Sequence, residues 1–168
     1  MDERLTPSDG PKFVVSGLFT TYHRLETAAG MRGTFTFPAF RSFGLFRTPE
    51  GREWTARRTS WWRGEYELRE GETVLATARP RGLLRREVEV TFGNRSYTLQ
   101  PVRFWGRVWR LCDEAGTPVL EVHPKGVLRR EVRLEVMSPM DLPLAVFTYY
   151  LVYARWQEEA AAAAAAAG

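Results

Sequence analysis

The segment from Leu142 to Ala154 (LPLAVFTYYLVYA) constrains the fold of this chain more than any other. It is apolar on every side, and a helix without a polar face must be enclosed by other protein or by lipid. Its thirteen residues are too few for a bilayer span, which needs about twenty. Because strand-like sequence precedes it, we expect β-strands wrapped around a central hydrophobic helix at about residues 141–158.

The sequence before this segment alternates between strand patterns and short turns. Runs rich in apolar and aromatic residues are separated by glycine-containing turns at 49–51, 70–72, 93–95 and 114–116. The intervals are too short for crossover helices, so the pattern predicts an antiparallel meander. The fold class is therefore mainly β, a barrel of about ten to twelve strands closing around the helix.

We expect a single domain over residues 13–159, with different sequence at each end. Residues 1–12 read as a disordered polar lead-in, because Pro7, Gly10 and Pro11 oppose regular structure. Residues 21–29 are compatible with a strand or a short helix. The alanine tail at 160–168 either extends the helix, since Ala has the highest helix propensity, or frays.

Charge and cysteine content indicate the compartment and the class of partner. The net charge is +4, and nearly all basic residues are arginines, which makes anionic partners possible. Cys112 is the only cysteine, so no intramolecular disulfide forms. The polar N-terminus does not resemble a signal peptide. We expect a cytoplasmic protein, with peripheral association with a membrane as a possibility.

The residues that usually carry catalysis are scarce in this chain. His23 and His123 are the only histidines and lie 100 residues apart, too few for a zinc site. Cys112 lies within a strand, and alternation from its neighbours places it on the opposite face from Leu111. Carboxylates alternate with arginines, which favours cross-strand pairing over acid–base chemistry. We expect a protein that is not an enzyme and that uses no cofactor or metal.

An internal repeat draws attention to a pair of arginines. Residues 80–90 (PRGLLRREVEV) and 124–134 (PKGVLRREVRL) are 44 residues apart and identical at seven of eleven positions. Strand alternation predicts that Arg86 and Arg130 point inward, where an arginine must be paired or bound to an anion. Alternatively, both arginines lie at strand ends near the rim of the barrel, where backbone carbonyls or Glu158 and Glu159 accept their hydrogen bonds.

Further basic residues precede both copies of the repeat. The candidate anion-binding or lipid-binding set is Arg79, Arg81, Arg86, Lys125 and Arg130.

Two stretches of the chain carry a resemblance to a known family. They are RVWRLCDEAGTPVLEV, a strand–turn–strand unit with a D-x-x-G turn at 113–116, and the terminal DLPLAVFTYYLVYARW. Their order and placement within residues 35–159 resemble the tubby C-terminal-like superfamily, which includes LURP-one-related proteins and phospholipid scramblases. The resemblance implies a closed barrel threaded by a helix, and better-known members act at membranes. The chain lacks their cysteine-rich stretch and acidic calcium loop, which leaves scramblase-like activity unsupported.

Three functions remain open on this sequence. The first is a non-enzymatic tubby-like domain that binds anionic phospholipid or a lipid-like ligand at a membrane surface. The second is a protein-interaction or regulatory scaffold with an acidic partner. The third, less favoured, is nucleic-acid binding through arginines and the adjacent Trp61 and Trp62, at least one of which strand alternation predicts to be in the core.

Overall fold

A computed structural model of the chain describes residues 3–39, 41–103, 106–126 and 130–168. Fourteen strands precede one helix in these ranges. The strands are β1 (Arg4–Leu5), β2 (Lys12–Ser16), β3 (Thr21–Thr27), β4 (Gly30–Phe37), β5 (Phe43–Arg47), β6 (Glu53–Ser60), β7 (Glu65–Glu70), β8 (Thr73–Arg81), β9 (Glu87–Phe92), β10 (Arg95–Pro101), β11 (Trp109–Cys112), β12 (Pro118–Lys125), β13 (Glu131–Val136) and β14 (Met140–Asp141). The helix, α1, covers Leu142–Ala167, and a 3₁₀ turn covers Pro7–Asp9.

Twelve of the strands form a closed antiparallel barrel, as the meander pattern predicted. Strands β2 to β13 pair in chain order, and β13 closes the barrel against β2. The closing pairs are Glu131 with Val14 and Val132 with Phe13. The short β1 and β14 pair separately beside the point where the helix begins. Closure leaves the barrel without an exposed edge strand.

The first part of α1 fills the barrel interior. Every residue from Leu142 to Val152 is buried, and none from Leu144 to Val152 exposes more than 4% of its surface. The helix is therefore enclosed on all sides, as its apolar composition requires. Lumen width explains why the barrel needs it: side chains alone fill a barrel of about eight strands, whereas twelve strands leave room for a helix about 10 Å across.

Strand and helix lengths are matched along the barrel axis. A seven-residue strand such as β3 spans about 23 Å, and a tilt of about 40° reduces its axial rise to about 18 Å. Twelve helical residues also rise about 18 Å. The helix accordingly leaves the barrel near Tyr153, and Arg155 is the first charged residue after the buried segment.

Aromatic side chains join the helix to the barrel wall. Phe13 stacks on Tyr149 with ring centroids 3.7 Å apart, and the Tyr150 hydroxyl donates to the Ser42 carbonyl at 3.1 Å. Within the helix, the Thr148 hydroxyl donates to the Leu144 carbonyl at 2.8 Å, so this buried polar group is satisfied.

The N-terminal segment differs from the disordered lead-in that the sequence predicted. Leu5 is completely buried and its strand pairs with β14, while the Leu142 N–H donates to the Glu3 carbonyl at 2.6 Å. Pro7 begins a 3₁₀ turn in which Asp9 accepts from the Thr6 N–H at 2.6 Å. The segment is ordered because it closes the end of the barrel where the helix starts.

Two other local predictions are decided by tertiary packing. Residues 21–29 form strand β3 and the turn after it, because His23 and Leu25 alternate into the core between β2 and β4. The alanine tail continues α1 to Ala167 and is exposed throughout. Its helical form therefore rests on propensity and on continuity with the buried turns, not on side-chain packing.

The enclosed helix makes the fold sensitive to a single buried charge. Val146 is fully buried, so Val146→Asp should prevent folding, because an unpaired buried carboxylate costs several kcal/mol against a typical total stability of about 5–15 kcal/mol. Ala165→Asp, on the exposed tail of the same helix, should leave the urea unfolding midpoint unchanged. A folded, monodisperse Val146→Asp protein would contradict the central-helix architecture.

The core contains a histidine that burial holds neutral. His23 is fully buried, with its Nδ1 2.5 Å from the Tyr149 hydroxyl oxygen and its Nε2 3.2 Å from the Thr21 hydroxyl oxygen. Burial lowers the pKa of His23 from its ordinary 6.5 to about 4. The unfolded chain therefore binds a proton at this residue before the native protein does.

This proton linkage predicts a loss of stability in mild acid. As pH falls from 6.5 to 4, His23 should remove about 3 kcal/mol from the free energy of unfolding. Urea denaturation at pH 7 and at pH 4.5 measures the loss. The His23→Phe protein, in which nothing titrates at this position, should have a flatter profile, and identical slopes for the two proteins would contradict the assignment.

Candidate anion-binding rim

The two ends of the barrel differ in loop length and in charge. Residues 17–20, 38–42, 61–64, 82–86, 102–108 and 126–130 connect strands at the end where the helix emerges. Their sequences contain eight arginines and no carboxylate. At the opposite end the connections are 28–29, 48–52, 71–72, 93–94, 113–117 and 137–139, with four carboxylates and one arginine. We call the six arginine-containing or apolar loops of the first end the rim loops.

The internal repeat consists of two equivalent hairpins that reach this rim. In the first copy Pro80 pairs with Val88, and in the second Pro124 pairs with Val132. The last ladder pair before each loop joins a basic residue to a glutamate, Arg81 to Glu87 and Lys125 to Glu131. The sequence identity thus corresponds to the same strand register used twice.

Three of the five residues in the candidate set lie on strands beside carboxylates. Arg79 forms an ion pair with Glu89 at 2.9 Å, and Lys125 forms one with Glu131 at 3.3 Å. Arg81 is exposed at the end of β8, with Glu87 as its cross-strand neighbour. The charge of this group is therefore partly balanced, as the alternation of arginine and glutamate suggested.

The predicted inward orientation of Arg86 and Arg130 is not what the structure contains. Both residues precede their strands, which begin at Glu87 and Glu131, and strand alternation does not apply to them. Arg130 is exposed, while Arg86 is partly exposed at the rim. The alternative, a position at the strand ends, is the one observed.

Arg86 lines a groove between the emerging helix and two rim loops. The groove has a volume of about 750 Å³ and lies over residues of β10, β11 and loops 82–86 and 102–108. Its charged lining consists of Arg85, Arg86, Arg107, Arg155, Glu158 and Glu159. Sequence reasoning did not place Arg85, Arg107 and Arg155 in this site, because they meet only where the helix crosses the loops.

One of the two carboxylates in the groove is engaged by several donors. Glu158 accepts from Arg58 at 3.2 Å, from the Tyr66 hydroxyl at 3.0 Å and from Arg155 at 3.5 Å. Burial, and then the Glu158 charge, raises the pKa of Tyr66 to about 12, so the phenol stays protonated as a donor. With four arginines and two glutamates, the charged lining of the groove is positive on balance.

The Arg85 backbone has an unusual conformation for its residue type. Its φ is 50°, and it is the only non-glycine residue with positive φ among the ranges that the structure describes. The loop is closed by the Arg85 N–H donating to the Gly82 carbonyl at 3.3 Å, and Arg155 donates to the Arg85 carbonyl at 3.3 Å. A left-handed conformation costs a non-glycine residue roughly 1–2 kcal/mol, and such strain occurs often at functional sites.

Glycine at position 85 should remove this strain. We expect Arg85→Gly to raise the free energy of unfolding by about 1 kcal/mol, because glycine adopts positive φ without a Cβ clash. Arg79→Gly, within β8 and without positive φ, should lower it instead. Urea denaturation of both variants measures the difference, and a fall in stability for both would show that Arg85 is not strained.

The adjacent tryptophans differ from the sequence prediction. Trp61 and Trp62 lie in the turn between β6 and β7, not on a strand, so neither is in the core. The Gly64 N–H closes the turn by donating to the Ser60 carbonyl at 2.9 Å. The Arg58 guanidinium lies 4.7 Å from the Trp61 ring centroid and also donates to the Trp61 carbonyl.

A cluster of possible metal ligands on the outer barrel face was missed by sequence reasoning. His123 Nε2 lies 2.9 Å from Glu121 and 3.2 Å from Glu135. These carboxylates also pair with arginines, Glu121 with Arg110 at 2.6 Å and Glu135 with Arg133 at 3.7 Å. The spacing of residues 121 and 123 on one strand face was the available signal. The cluster belongs to the cross-strand ion pairs of the wall.

Cys112 follows the predicted alternation in its pairing with β10, because it is opposite Thr98 while Leu111 is opposite the core residue Leu99. The register of β11 on β12 shifts after Leu111, and Cys112 is only 5% exposed. Burial raises the pKa of its thiol, which disfavours the reactive thiolate.

The chain was compared with models of protein families, with curated proteins and with solved structures, and none of the three comparisons gives a match. Among the described residues, no helix combines the length and the apolar character needed to cross a bilayer.

Proposed function

We propose that this chain is a non-enzymatic, tubby-like domain that binds anionic phospholipid headgroups at its rim. The observation that carries the proposal is the groove beside α1, where four arginines from two loops and the helix surround a space of about 750 Å³. Guanidinium groups form paired hydrogen bonds with phosphate oxygens, so this lining is suited to a phosphate-bearing headgroup.

The distribution of charge supports a surface as the source of that headgroup. Seven arginines in the described part of the rim loops lie at one end of the barrel, and the sequences of these loops contain no carboxylate. An anionic leaflet attracts basic residues near its surface by about 1 kcal/mol each. A flat negative surface can contact several rim loops together, whereas a small soluble anion would occupy the groove alone.

The tubby-like part of the proposal rests on architecture and on the two sequence stretches that resemble the family. A closed twelve-stranded barrel with a buried C-terminal helix is the arrangement that the resemblance implies. The residues of the D-x-x-G motif form a turn in which Asp113 accepts from the N–H groups of Ala115 and Thr117 at 3.0 and 2.9 Å.

Sedimentation with vesicles tests the proposed function. We expect binding to vesicles of phosphatidylcholine with phosphatidylserine, weakening as salt rises from 0.1 to 0.5 M, and no binding to phosphatidylcholine alone. Replacing Arg85, Arg86 and Arg107 together by Gln should weaken binding at 0.1 M salt about 100-fold, at about 1 kcal/mol for each lost charge.

The matched control changes the same number of charges elsewhere on the barrel. Arg24, Arg47 and Arg95 are exposed and lie outside the rim loops, so their replacement by Gln should reduce affinity much less. Equal losses in the two triple variants would mean that net charge, not the rim, determines binding. Absence of binding to acidic vesicles by the wild-type protein would reject the function and favour a protein partner.

A further inference from the structure

We infer that three of the rim loops, 17–20, 61–64 and 82–86, insert apolar side chains into the bilayer, so that the end of the barrel from which α1 emerges faces the membrane. This inference rests on the proposed function, but it concerns a separate interaction that salt does not abolish. It assigns a role to exposed apolar residues that the fold does not require, and of these only Leu84 also lines the arginine groove.

Three rim loops expose pairs of large apolar residues at their tips. Nearly the whole side chain is accessible in most of them: Leu18 88%, Phe19 83%, Trp61 71%, Trp62 91%, Leu83 103% and Leu84 75%. Single exposed apolar residues are common on proteins and need no explanation. Adjacent pairs at the tips of three loops on the same end of one barrel are a concentrated feature.

The three pairs are spread around the barrel mouth. Loops 17–20 and 82–86 are separated by six strands, half of the twelve, and loop 61–64 lies between them. From the strand spacing and tilt, the mouth is roughly 24 Å across. Apolar loop tips that are spread around the barrel mouth can all enter the flat, deformable surface of a bilayer. A compact pocket on a protein partner would accommodate only one of these tips.

Arginines hold the tryptophan pair in its exposed position. Arg58 contacts both Trp61 and Glu158 of the helix, and Arg85 donates to the Trp62 carbonyl at 3.4 Å. The turn is thereby tied to the helix and to the neighbouring loop. Tryptophan is enriched at membrane interfaces, where its ring is partly apolar and its N–H remains near water.

Charge complementarity favours an anionic bilayer as the occupant over an acidic protein. Each exposed pair in loops 61–64 and 82–86 is followed directly by arginine, in the sequences WWR and LLRR. Apolar tips with basic residues immediately behind them match the acyl region and the headgroup layer of an anionic leaflet. The uncharged alanine tail of α1 projects from the same end.

Site-directed labelling measures the insertion at individual positions. Cys112 is buried and is the only cysteine, so a Cys112→Ala background allows single cysteines to carry an environment-sensitive fluorophore. Labels at Phe19→Cys and Leu84→Cys should shift to shorter emission wavelength with phosphatidylserine-containing vesicles. Labels at Met31→Cys and Val74→Cys, which are exposed near the opposite end, should not shift.

Serine variants measure what the tips contribute to affinity. At 0.5 M salt, where electrostatic attraction is screened, the double variants Leu18→Ser/Phe19→Ser and Leu83→Ser/Leu84→Ser should each bind at least about tenfold more weakly than wild type. Met31→Ser/Val74→Ser is the matched control and should bind as wild type does. Unchanged unfolding midpoints verify that the exposed substitutions leave the barrel folded.

The possible outcomes separate this inference from the proposed function. Binding to acidic vesicles that is fully reversed by salt, with tip labels that do not shift, would overturn insertion and leave headgroup binding intact. No binding to acidic vesicles would overturn both. A shift of the opposite-end labels alone would reverse the docking orientation and so overturn the inference. Self-association that the tip variants abolish, without vesicle binding, would assign the tips to a protein interface instead.

Discussion

A barrel of twelve strands encloses a lumen that side chains from its wall cannot fill, and the apolar half of α1 fills it. The stability of the wall and of the helix therefore depend on each other. Helix residues such as Val146 and Phe147 are fully buried by the barrel wall. Without the helix, strand residues such as Leu68 and Leu99 would line an empty lumen. Both ends of the molecule take their form from this arrangement.

The enclosed helix also makes the ends chemically different. Its start is sealed by ordered N-terminal residues, with Leu5 buried beside β14. Where the helix leaves the barrel, Arg155 contacts Arg85 in loop 82–86. Glu158 contacts Arg58 and Tyr66, on the two strands that loop 61–64 connects. Because the strands are nearly matched to the buried helix in length, the charged residues of α1 emerge where the long, basic loops are. The groove therefore forms between the emerging helix and these loops.

Sequence periodicity predicted the architecture because both of its signals are local. Turns at fixed intervals indicated a meander, and an all-apolar segment indicated an enclosed helix. Alternation failed at strand boundaries, because it assumes an uninterrupted strand. Arg86 and Arg130 precede their strands, and Trp61 and Trp62 lie in a turn. The lead-in is ordered by partners distant in sequence, which no local pattern contains.

The candidate site was predicted only in part for the same reason. Both copies of the repeat lead into rim loops, and Arg86 lies in the groove. Arg79 and Lys125, by contrast, are paired with glutamates on neighbouring strands. Arg107 and Arg155 are far apart in sequence and in different elements, so their proximity depends on where the helix emerges.

The sequence by itself determined the antiparallel strands, the central helix and the excess of arginine, because hydrophobic periodicity and composition are properties of the chain. Tertiary structure decided which end of the barrel became basic and apolar. An antiparallel meander places alternate connections at opposite ends, so residues from six separate loops converge there. Only barrel closure brings those loops around one mouth, and only the buried length of the helix places Arg155 among them.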